Sequence, residues 1–386
     1  MRVLILAEYY PRAADPTLGV WAHRQAVAAR DAGADVRVLV LHRPVPPLSA
    51  LRRPNLRAVR DALAQPPRTV LDGLEVDYLR YVSPPRPWSY STWGAWAAPL
   101  LRRALARLRQ TFPFDLIHAH YAAPAGDAAR RASPATPLLV SVHGGDVHGR
   151  HADSGTVRTT LRHARLVLAN SAGTARRCAE RGAAHTQVVH LGTDVPPQPA
   201  PPPARPRLVS VGNLIARKRH ADVIEALALL DDRHPDLRYV IVGDGPERPA
   251  LEALARARGV DGRIDFRGRL GHAEAVAEAR AATLFVLPSV AEAFGVAYVE
   301  AMAAGVPAIG VRGEDGPEEI AAAGGGIELV PPRQPRALAT TLDALLGDAA
   351  GLKALRRQAR TTVAAEFTWE RCGRETVDAY AQVLDG

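Results

Sequence analysis

Short runs of aliphatic residues alternate with alanine-rich helical stretches along almost the whole of this 386-residue chain. Such an alternation of strands and helices produces parallel sheets whose two faces are both covered by helices. Strands are predicted at residues 3–7, 36–41, 116–119, 138–142, 166–169, 188–190, 208–211, 239–242, 264–266, 284–287 and 307–311. The sequence therefore predicts an α/β protein.

A proline-rich segment, VPPQPAPPPARP at residues 195–206, divides the chain close to its midpoint. Proline at this density cannot continue a helix or a central strand and favours an extended connector. Because the chain is too long for one ordinary core, we predict an N-terminal domain at 1–194 and a C-terminal domain at 207–366. Ligands of α/β sheets bind beyond the carboxyl ends of the strands, so the two sheets are expected to face each other across a central cleft.

The last segment, residues 367–386, has the pattern of an amphipathic helix. It follows a second domain that is already complete, so its apolar face must pack against something else. Two placements fit the pattern equally well. The helix either crosses back to the N-terminal domain or covers its own domain.

Positive charge is concentrated in the first half of the chain. The net charge is +9, but residues 1–200 hold 26 arginines and no lysine against 14 acids, a net charge of +12. An arginine-rich composition explains the use of arginine in place of lysine, but not this imbalance. We therefore expect an anionic partner for the first half, with a phosphate-bearing ligand, a membrane surface and a nucleic acid as candidates.

Several classes of protein are excluded by composition. The 47% of hydrophobic residues and 23% of charged residues are typical of a globular chain, and no apolar run reaches the length of a spanning helix. The N-terminus lacks the apolar stretch of a secretory signal. Two cysteines, Cys178 and Cys372, are too few for a cysteine zinc site and are typical of a reducing compartment. We expect a cytoplasmic protein, with peripheral attachment at the inner face of the cell membrane left open.

A basic loop follows the strand predicted at 208–211. Arg217, Lys218 and Arg219 come directly before a predicted helix, whose N-terminal N–H groups and dipole favour a phosphate group. Lysine occurs only twice in the chain, so its use here suggests a compact point charge. A solvated basic turn explains the same pattern equally well. Gly19, at the start of the first predicted helix, is a weaker anion-binding candidate, for which a simple turn is the competing explanation.

Two glutamates flank the start of a later helix, in the segment EAFGVAYVE at residues 292–300. Glu292 is expected at the carboxyl end of a buried strand and Glu300 further along the helix. Their carboxylates could accept hydrogen bonds from the hydroxyl groups of a sugar or ribose. Amphipathicity explains Glu300 as a surface residue, but it does not explain Glu292 beside the end of an apolar strand.

His143 is predicted at the end of another strand, where Gly144, Gly145 and Asp146 follow it. An imidazole there, with glycines that permit close backbone approach, could contact a reacting sugar. His118 and His120 alternate on one strand and are interpreted as structural. No H-E-x-x-H, D-x-D, G-x-G-x-x-G or Walker motif occurs, so neither a metal site nor a dinucleotide cofactor is predicted.

Together these motifs resemble the retaining glycosyltransferases of family 4, also called group 1, over nearly the full chain. The resemblance rests on the Glu292/Glu300 pair and EAMAAGVP at 300–307, on IVGDGPER at 241–248 and on VGNLIARK at 211–218. Further support comes from FRGRL at 266–270, HGGD at 143–146, LGTD at 191–194 and GEDGPEEI at 313–320. The family implies a GT-B fold, in which an acceptor-binding and a nucleotide-sugar-binding Rossmann-like domain flank the cleft.

The resemblance also implies roles for individual residues. His143, Glu292 and Lys218 would be catalytic, and Gly19, Arg217 and Lys218 would bind the donor diphosphate. The remaining donor contacts fall into two groups: the ribose and transferred sugar would be held by Glu292, Phe294, Gly295 and Glu300, and the base by Gly243, Arg267, Arg269 and Leu270. The implied activity is hexosyl transfer from a nucleoside-diphosphate sugar with retention of anomeric configuration, without metal or cofactor, in cell-envelope or polysaccharide biosynthesis.

The sequence does not identify the acceptor. A glycan, a lipid-linked molecule and a small molecule all remain candidates. The segment 80–110 carries an aromatic group followed by arginines: Tyr81, Trp88, Tyr90, Trp93, Trp96, Arg102, Arg103, Arg107 and Arg109. Aromatic residues beside arginine suit a membrane interface or an anionic, lipid-linked acceptor. An amphipathic helix packed on its own domain explains the segment as well.

Other classes compete with the transferase. A sugar-nucleotide epimerase or a non-catalytic nucleotide-sugar-binding relative would share the fold, and a phosphorylase would use Lys218 to carry pyridoxal phosphate. A nucleic-acid-binding protein would account for the charge, but no signature of a nucleic-acid-binding domain is present, so no nucleic-acid partner is predicted.

Overall fold

The computed structural model describes residues 1–44, 60, 63–84, 89 and 92–385. The chain forms two compact units. The first contains Met1–Leu191 and the C-terminal helix Trp369–Asp385, and the second contains Gly192–Thr368.

The first unit is built on an eight-stranded sheet with the strand order β3-β4-β2-β1-β5-β6-β7-β8. The strands are β1 (Arg2–Ala7), β2 (Asp35–His42), β3 (Arg68–Leu71), β4 (Leu74–Arg80), β5 (Leu116–His120), β6 (Leu138–Val142), β7 (Leu166–Ala169) and β8 (Thr186–Val188). All neighbours pair in parallel except β3 and β4, which form an antiparallel hairpin at one edge.

The second unit has a six-stranded, fully parallel sheet with the order β11-β10-β9-β12-β13-β14. Its strands are β9 (Arg207–Val211), β10 (Arg238–Val242), β11 (Ile264–Gly268), β12 (Leu284–Val286), β13 (Ala308–Val311) and β14 (Ile327–Val330). Counted within the unit, this is the 3-2-1-4-5-6 order of a Rossmann fold, which reverses between β9 and β12.

Helices connect the strands in both units. They are α1 (Val20–Asp31), α2 (Trp93–Thr111), α3 (Asp127–Ala132), α4 (Gly144–Val147), α5 (Gly155–His163), α6 (Ala172–Glu180), α7 (His220–Leu229), α8 (Arg248–Ala257), α9 (His272–Arg280), α10 (Val296–Met302), α11 (Asp315–Gly324), α12 (Pro335–Gly347), α13 (Ala349–Glu366) and α14 (Trp369–Asp385). Short helical turns at Ala216–Lys218 and Asp261–Arg263 precede α7 and β11.

The first sheet buries both of its faces, as its continuous apolar strands require. Leu4 and Leu6 of β1 point into a core shared with α2, whereas Val3 and Ile5 point into one shared with α1 and α14. Alternate residues of a strand point to opposite faces, so a strand buried on both sides must be apolar at every position.

The C-terminal helix α14 lies in the first unit and packs against α1. The two helices approach so closely that a Cβ on Gly373 would lie 2.2 Å from the carbonyl oxygen of Ala28. Gln25 of α1 also donates a 3.0 Å hydrogen bond to the Thr376 hydroxyl. Of the two placements compatible with the sequence, the structure therefore has the one that returns to the N-terminal part of the chain.

The proline-rich segment is bound to the second unit rather than standing apart as a connector. Ala200 donates a backbone hydrogen bond to Ala304, at 2.8 Å. Arg356 and Arg360 donate to the carbonyl oxygens of Ala200 and Pro196, each at 2.6 Å. Proline lacks an N–H but keeps its carbonyl, so a proline-rich segment can be held through its acceptors.

The sequence-based prediction missed β3, β4 and β14. In β4 the residues Leu74, Val76 and Tyr78 are buried, whereas Glu75 is exposed. This alternation is the period-two signal of a strand with one exposed face, which a search for continuous apolar runs overlooks.

Candidate active site

The reversal point of the second sheet is flanked by the two charged residues that the sequence analysis singled out. Lys218 lies beyond the carboxyl end of β9, and Glu292 lies beyond the carboxyl end of β12. Open α/β sheets bind ligands in the crevice that forms where the strand order reverses. The topology therefore places both residues where a ligand of this unit is expected.

Lys218 and Glu292 form an ion pair. The distance from Lys218 Nζ to Glu292 Oε2 is 2.5 Å, and only about a tenth of each side chain is exposed. The guanidinium of Arg217 lies 3.6 Å from the same carboxylate oxygen and is more exposed. Arg219, the third cation of the loop, instead pairs with Asp222 in the first turn of α7.

Glu292 is held by two further groups. The hydroxyl of Ser289 donates to Glu292 Oε2 at 2.8 Å, and the backbone N–H of Glu292 donates to Glu314 at 2.8 Å. Burial opposes ionisation of Glu292, but the attraction and hydrogen bond of Lys218, followed by Arg217 and Ser289, outweigh it and lower its pKa. Glu292 is therefore an ionised carboxylate. The sequence analysis missed Ser289 and Glu314, although Ser289 stands three residues before Glu292.

Glu300 occupies a different environment, one turn into α10. Its carboxylate lies 3.7 Å from His272, and its backbone carbonyl accepts a 3.4 Å hydrogen bond from Arg280. Burial raises the pKa of Glu300 to about 7, with Arg280 opposing the shift and Asp194 adding to it. Glu300 therefore changes its charge near neutral pH.

Phe294, which the resemblance places among the residues at the sugar, lies in the turn directly before α10. Its ring is buried and packs against Phe367 at a centroid distance of 5.6 Å. Gly295 has a φ of 87° directly before α10, and a Cβ there would lie 2.4 Å from the Tyr298 ring. The aromatic residue anchors this turn in the core, and the glycine permits its left-handed conformation.

The residues predicted to hold the base lie after β10 and β11. A Cβ on Gly243 would lie 1.9 Å from the carbonyl oxygen of Gly212, so close packing of two strand ends explains this glycine. The Arg267 side chain forms ion pairs with Asp265 at 3.3 Å and with Glu278 at 3.2 Å. The last two members of the group lie in the following loop. Arg269 is exposed and Leu270 is half-buried.

Gly19 begins α1 in the left-handed conformation, with a φ of 65°. A Cβ at this position would lie 2.1 Å from the Tyr9 carbonyl oxygen. The tight β1–α1 connection therefore requires a glycine, whether or not a ligand approaches it.

His143 lies at the carboxyl end of β6, in the first unit, and is buried. Its ring lies 4.7 Å from that of Tyr121 and 6.0 Å from that of Trp21, between centroids. Burial lowers the pKa of His143 to about 3, so the imidazole is neutral. Asp146 accepts hydrogen bonds from the backbone N–H groups of His143 and Ala122, and burial raises its pKa to about 7 despite them. Tyr121 and Trp21 were not predicted from the sequence.

Two of the three described members of the aromatic group in the segment 80–110 are structural. Tyr81 and Trp93 are buried, and the Trp93 indole donates to the Ser89 hydroxyl at 2.7 Å. Trp96 is half-exposed, whereas Trp88 and Tyr90 lie outside the described residues. Within the described ranges, no helix has the length and apolar character needed to cross a membrane, and no group of three or more His, Cys, Asp or Glu side chains could hold a metal ion.

Two family models match consecutive parts of the chain. The model for glycosyltransferase family 4 matches residues 18–196, and the model for glycosyl transferases group 1 matches residues 193–362. The first half of the chain thus matches the N-terminal domain of this enzyme family, and the second half matches its C-terminal domain. The chain belongs to the family 4 glycosyltransferases and is a glycosyltransferase.

Similar proteins span the whole chain. A glycogen synthase of Mycobacterium tuberculosis is 26% identical over 100% of this chain and 96% of its own length. A 2-deoxystreptamine glucosyltransferase of Streptomyces kanamyceticus is 29% identical over 75% of this chain and 83% of its own. Among solved structures, the sucrose-phosphate synthase of Thermosynechococcus elongatus superimposes with a TM-score of 0.78, at 21% identity over 100% of both chains. Anabaena HepE in complex with UDP-glucose gives 0.72, at 19% identity over 99% of this chain and 100% of its own. These likenesses show that the fold is GT-B, with two Rossmann-like domains.

Proposed function

We propose that the protein transfers a hexosyl group from a nucleoside-diphosphate sugar to an acceptor, with retention of configuration and without a metal ion. The observation that carries this proposal is the buried Lys218–Glu292 ion pair at the reversal point of a Rossmann-ordered sheet. In the free protein the charge of Lys218 is balanced by Glu292. When the donor binds, Lys218 can exchange this partner for the diphosphate. The same step frees the carboxylate to accept hydrogen bonds from the hydroxyl groups of the sugar.

The chemical step needs stabilisation of the negative charge that develops on the departing nucleoside diphosphate. Lys218 and Arg217 are fixed cations for this purpose, and their positions are set by the turn at Ala216–Lys218. Charges held in place before the reaction stabilise a transition state without a cost of reorganisation. The neutral imidazole of His143 is the proposed contact to the reacting sugar. In this proposal no bound metal and no cofactor take part.

The donor and the pathway are proposed from the relatives. HepE is solved with UDP and with UDP-glucose, which supports a uridine-diphosphate sugar as the first donor to test. Similar proteins include a putative teichuronic acid biosynthesis glycosyltransferase and a lipopolysaccharide outer core galactosyltransferase. These names support a role in cell-envelope or polysaccharide biosynthesis.

A two-stage experiment tests the proposed reaction. Thermal unfolding with a panel of nucleoside diphosphates and nucleotide sugars identifies the donor, because a ligand that binds only the folded state raises the unfolding temperature. Transfer from that donor is then followed by NMR in excess EDTA. We expect full rate in EDTA and a product with the anomeric configuration of the donor. Loss of activity that Mg²⁺ or Mn²⁺ restores, or an inverted product, would contradict the proposal.

A second proposal concerns peripheral attachment to anionic membranes. Trp96 is 50% exposed and Leu100 39% exposed on α2, and Arg103 and Arg107 continue the same helical face. An exposed tryptophan beside arginines suits the interface of an anionic bilayer.

Sedimentation with phosphatidylglycerol vesicles at low salt tests this attachment. We expect binding that is abolished by high salt and weakened about 30-fold by the double substitution R103Q/R107Q, at about 1 kcal/mol for each removed charge. The double substitution R312Q/R336Q removes the same charge from exposed positions of the second unit and is the matched control. Equal binding by the two variants, or no binding by the wild type, would exclude this face.

A further inference from the structure

Three buried histidines form a continuous row in the first unit. His118 and His120 are two residues apart on β5, so both point to the sheet face that α1 and α14 cover. The rings of His118 and His120 are 4.6 Å apart and those of His120 and His143 are 5.4 Å apart, with interplanar angles of 27° and 15°. The row connects the core of the unit to the carboxyl end of the sheet.

A hydrogen bond connects His120 to His143 within the row, and two more connect His118 to neighbouring hydroxyl groups. His120 Nδ1 lies 3.2 Å from His143 Nε2. At the other end, His118 Nδ1 lies 2.8 Å from the Tyr380 hydroxyl of α14, and its Nε2 lies 2.7 Å from the Ser141 hydroxyl. The C-terminal helix therefore braces the ring against which His120 stacks.

The histidines of the row are neutral, because burial lowers the pKa of all three. A neutral imidazole carries one N–H donor and one bare nitrogen acceptor. In the hydrogen bond between His120 and His143, only one of the two facing nitrogens carries a proton. The direction of this bond thus determines the tautomer of both rings.

The other nitrogen of His120 indicates the direction. Within the described part of the chain, His120 Nε2 is buried and has no hydrogen-bond partner. An N–H group that is buried without a partner is rarer and more costly than a bare acceptor. His120 Nε2 is therefore assigned the lone pair, so the proton of His120 is on Nδ1 and points to His143.

We propose that His120 is a positioning residue, which donates from Nδ1 to Nε2 of His143 and holds His143 as its Nδ1–H tautomer. His143 then offers one polar group, the Nδ1–H, as a hydrogen-bond donor to an oxygen of the reacting sugar. This inference rests on the proposed role of His143. The assignment of the tautomer itself concerns the free protein and can be tested without substrate.

Long-range ¹H–¹⁵N NMR of the histidine-labelled full chain tests the tautomer directly. The His143 signals are identified by their loss in His143→Asn. We expect a protonated Nδ1 and a bare Nε2 in the wild type, and a mixture of tautomers in His120→Phe, which keeps a stacked ring but cannot donate. A protonated Nε2 of His143 in the wild type would overturn the proposal, even if the His120→Phe protein did not fold.

Kinetics provide the second measurement. In His120→Phe we expect kcat to fall about 10- to 100-fold, with a nearly unchanged KM for the donor. Losses of this size follow when a hydrogen bond that orients a metal-binding histidine is removed. His120→Asn carries an amide N–H close to the position of Nδ1 and is expected to recover most of kcat. Equal kcat in His120→Phe and wild type would overturn the proposal. Full activity of His143→Asn would instead contradict the proposed role of His143 and leave the tautomer assignment standing.

Discussion

Replacement of Lys218 by alanine is expected to lower kcat/KM for transfer about 100- to 1,000-fold, the effect of removing one preorganised group that stabilises developing charge. Steady-state kinetics with the donor identified by thermal unfolding measure this loss. Lys353→Ala is the matched control, because Lys353 is the only other lysine of the chain and is exposed. Near-normal kinetics of Lys218→Ala would remove the diphosphate assignment.

The same substitution also tests the ion pair in the free protein. Without Lys218, the buried carboxylate of Glu292 keeps the Ser289 hydroxyl and the more distant Arg217. We expect a loss of about 1–3 kcal/mol in the free energy of unfolding, the cost of a buried group that loses its partner. Adding Glu292→Gln should restore stability but not activity. Recovery of activity in the double variant would show that the pair is structural only.

Glu300→Gln is expected to change stability and donor binding in opposite directions. The folded-state pKa of Glu300 is raised to about 7 from its usual 4.5, so between these pH values the folded protein binds more protons than the unfolded chain. Stability from this group therefore falls as pH rises through that range, by up to about 3 kcal/mol. Glutamine does not ionise and avoids this cost. The variant should unfold at a higher temperature than the wild type at pH 8, with the difference vanishing near pH 4.5.

Donor binding should weaken in the same variant. If Glu300 accepts hydrogen bonds from ribose hydroxyls, loss of its charge should reduce donor affinity about 10- to 100-fold at pH 8, as for a hydrogen bond to a charged group. Calorimetric titration of wild type and variant measures this difference, which should shrink below pH 7 as the wild-type carboxyl group becomes neutral. Glu328→Gln, at an exposed position of β14, is the control. Unchanged affinity at pH 8 would exclude Glu300 from the ribose site.

Most of the central strands could be predicted from the sequence, because a strand buried on both faces must be apolar at every position. The edge strands could not. The β3–β4 hairpin has one exposed face, so its polar residues interrupt the apolar run. The two ends of the proline-rich segment could be located from composition, but its attachment to the second unit depends on Arg356 and Arg360, about 160 residues further along the chain.

For the candidate site, the residue types were predictable and their partners were not. Lys218 and Glu292 stood out because a basic loop and an acidic residue each follow a predicted strand. Their pairing results from a strand order that makes β9 and β12 neighbours across 74 residues of sequence. The resemblance implied a place for Phe294 beside the sugar, and only the tertiary structure shows that its ring is buried in the core.

The sequence by itself determined that this chain forms two α/β domains, that it resembles family 4 glycosyltransferases, and which few charged residues and histidines deserved testing. These features are local, because the periodicity of hydrophobic residues, the turn residues and the spacing within motifs each involve only short stretches of sequence. Tertiary structure alone decided the charge of those groups. Glu292 is ionised beside Lys218, Glu300 titrates near pH 7 because it is buried, and His143 is neutral beside His120. Desolvation and neighbouring charges set these states, and both come from residues that are distant in sequence.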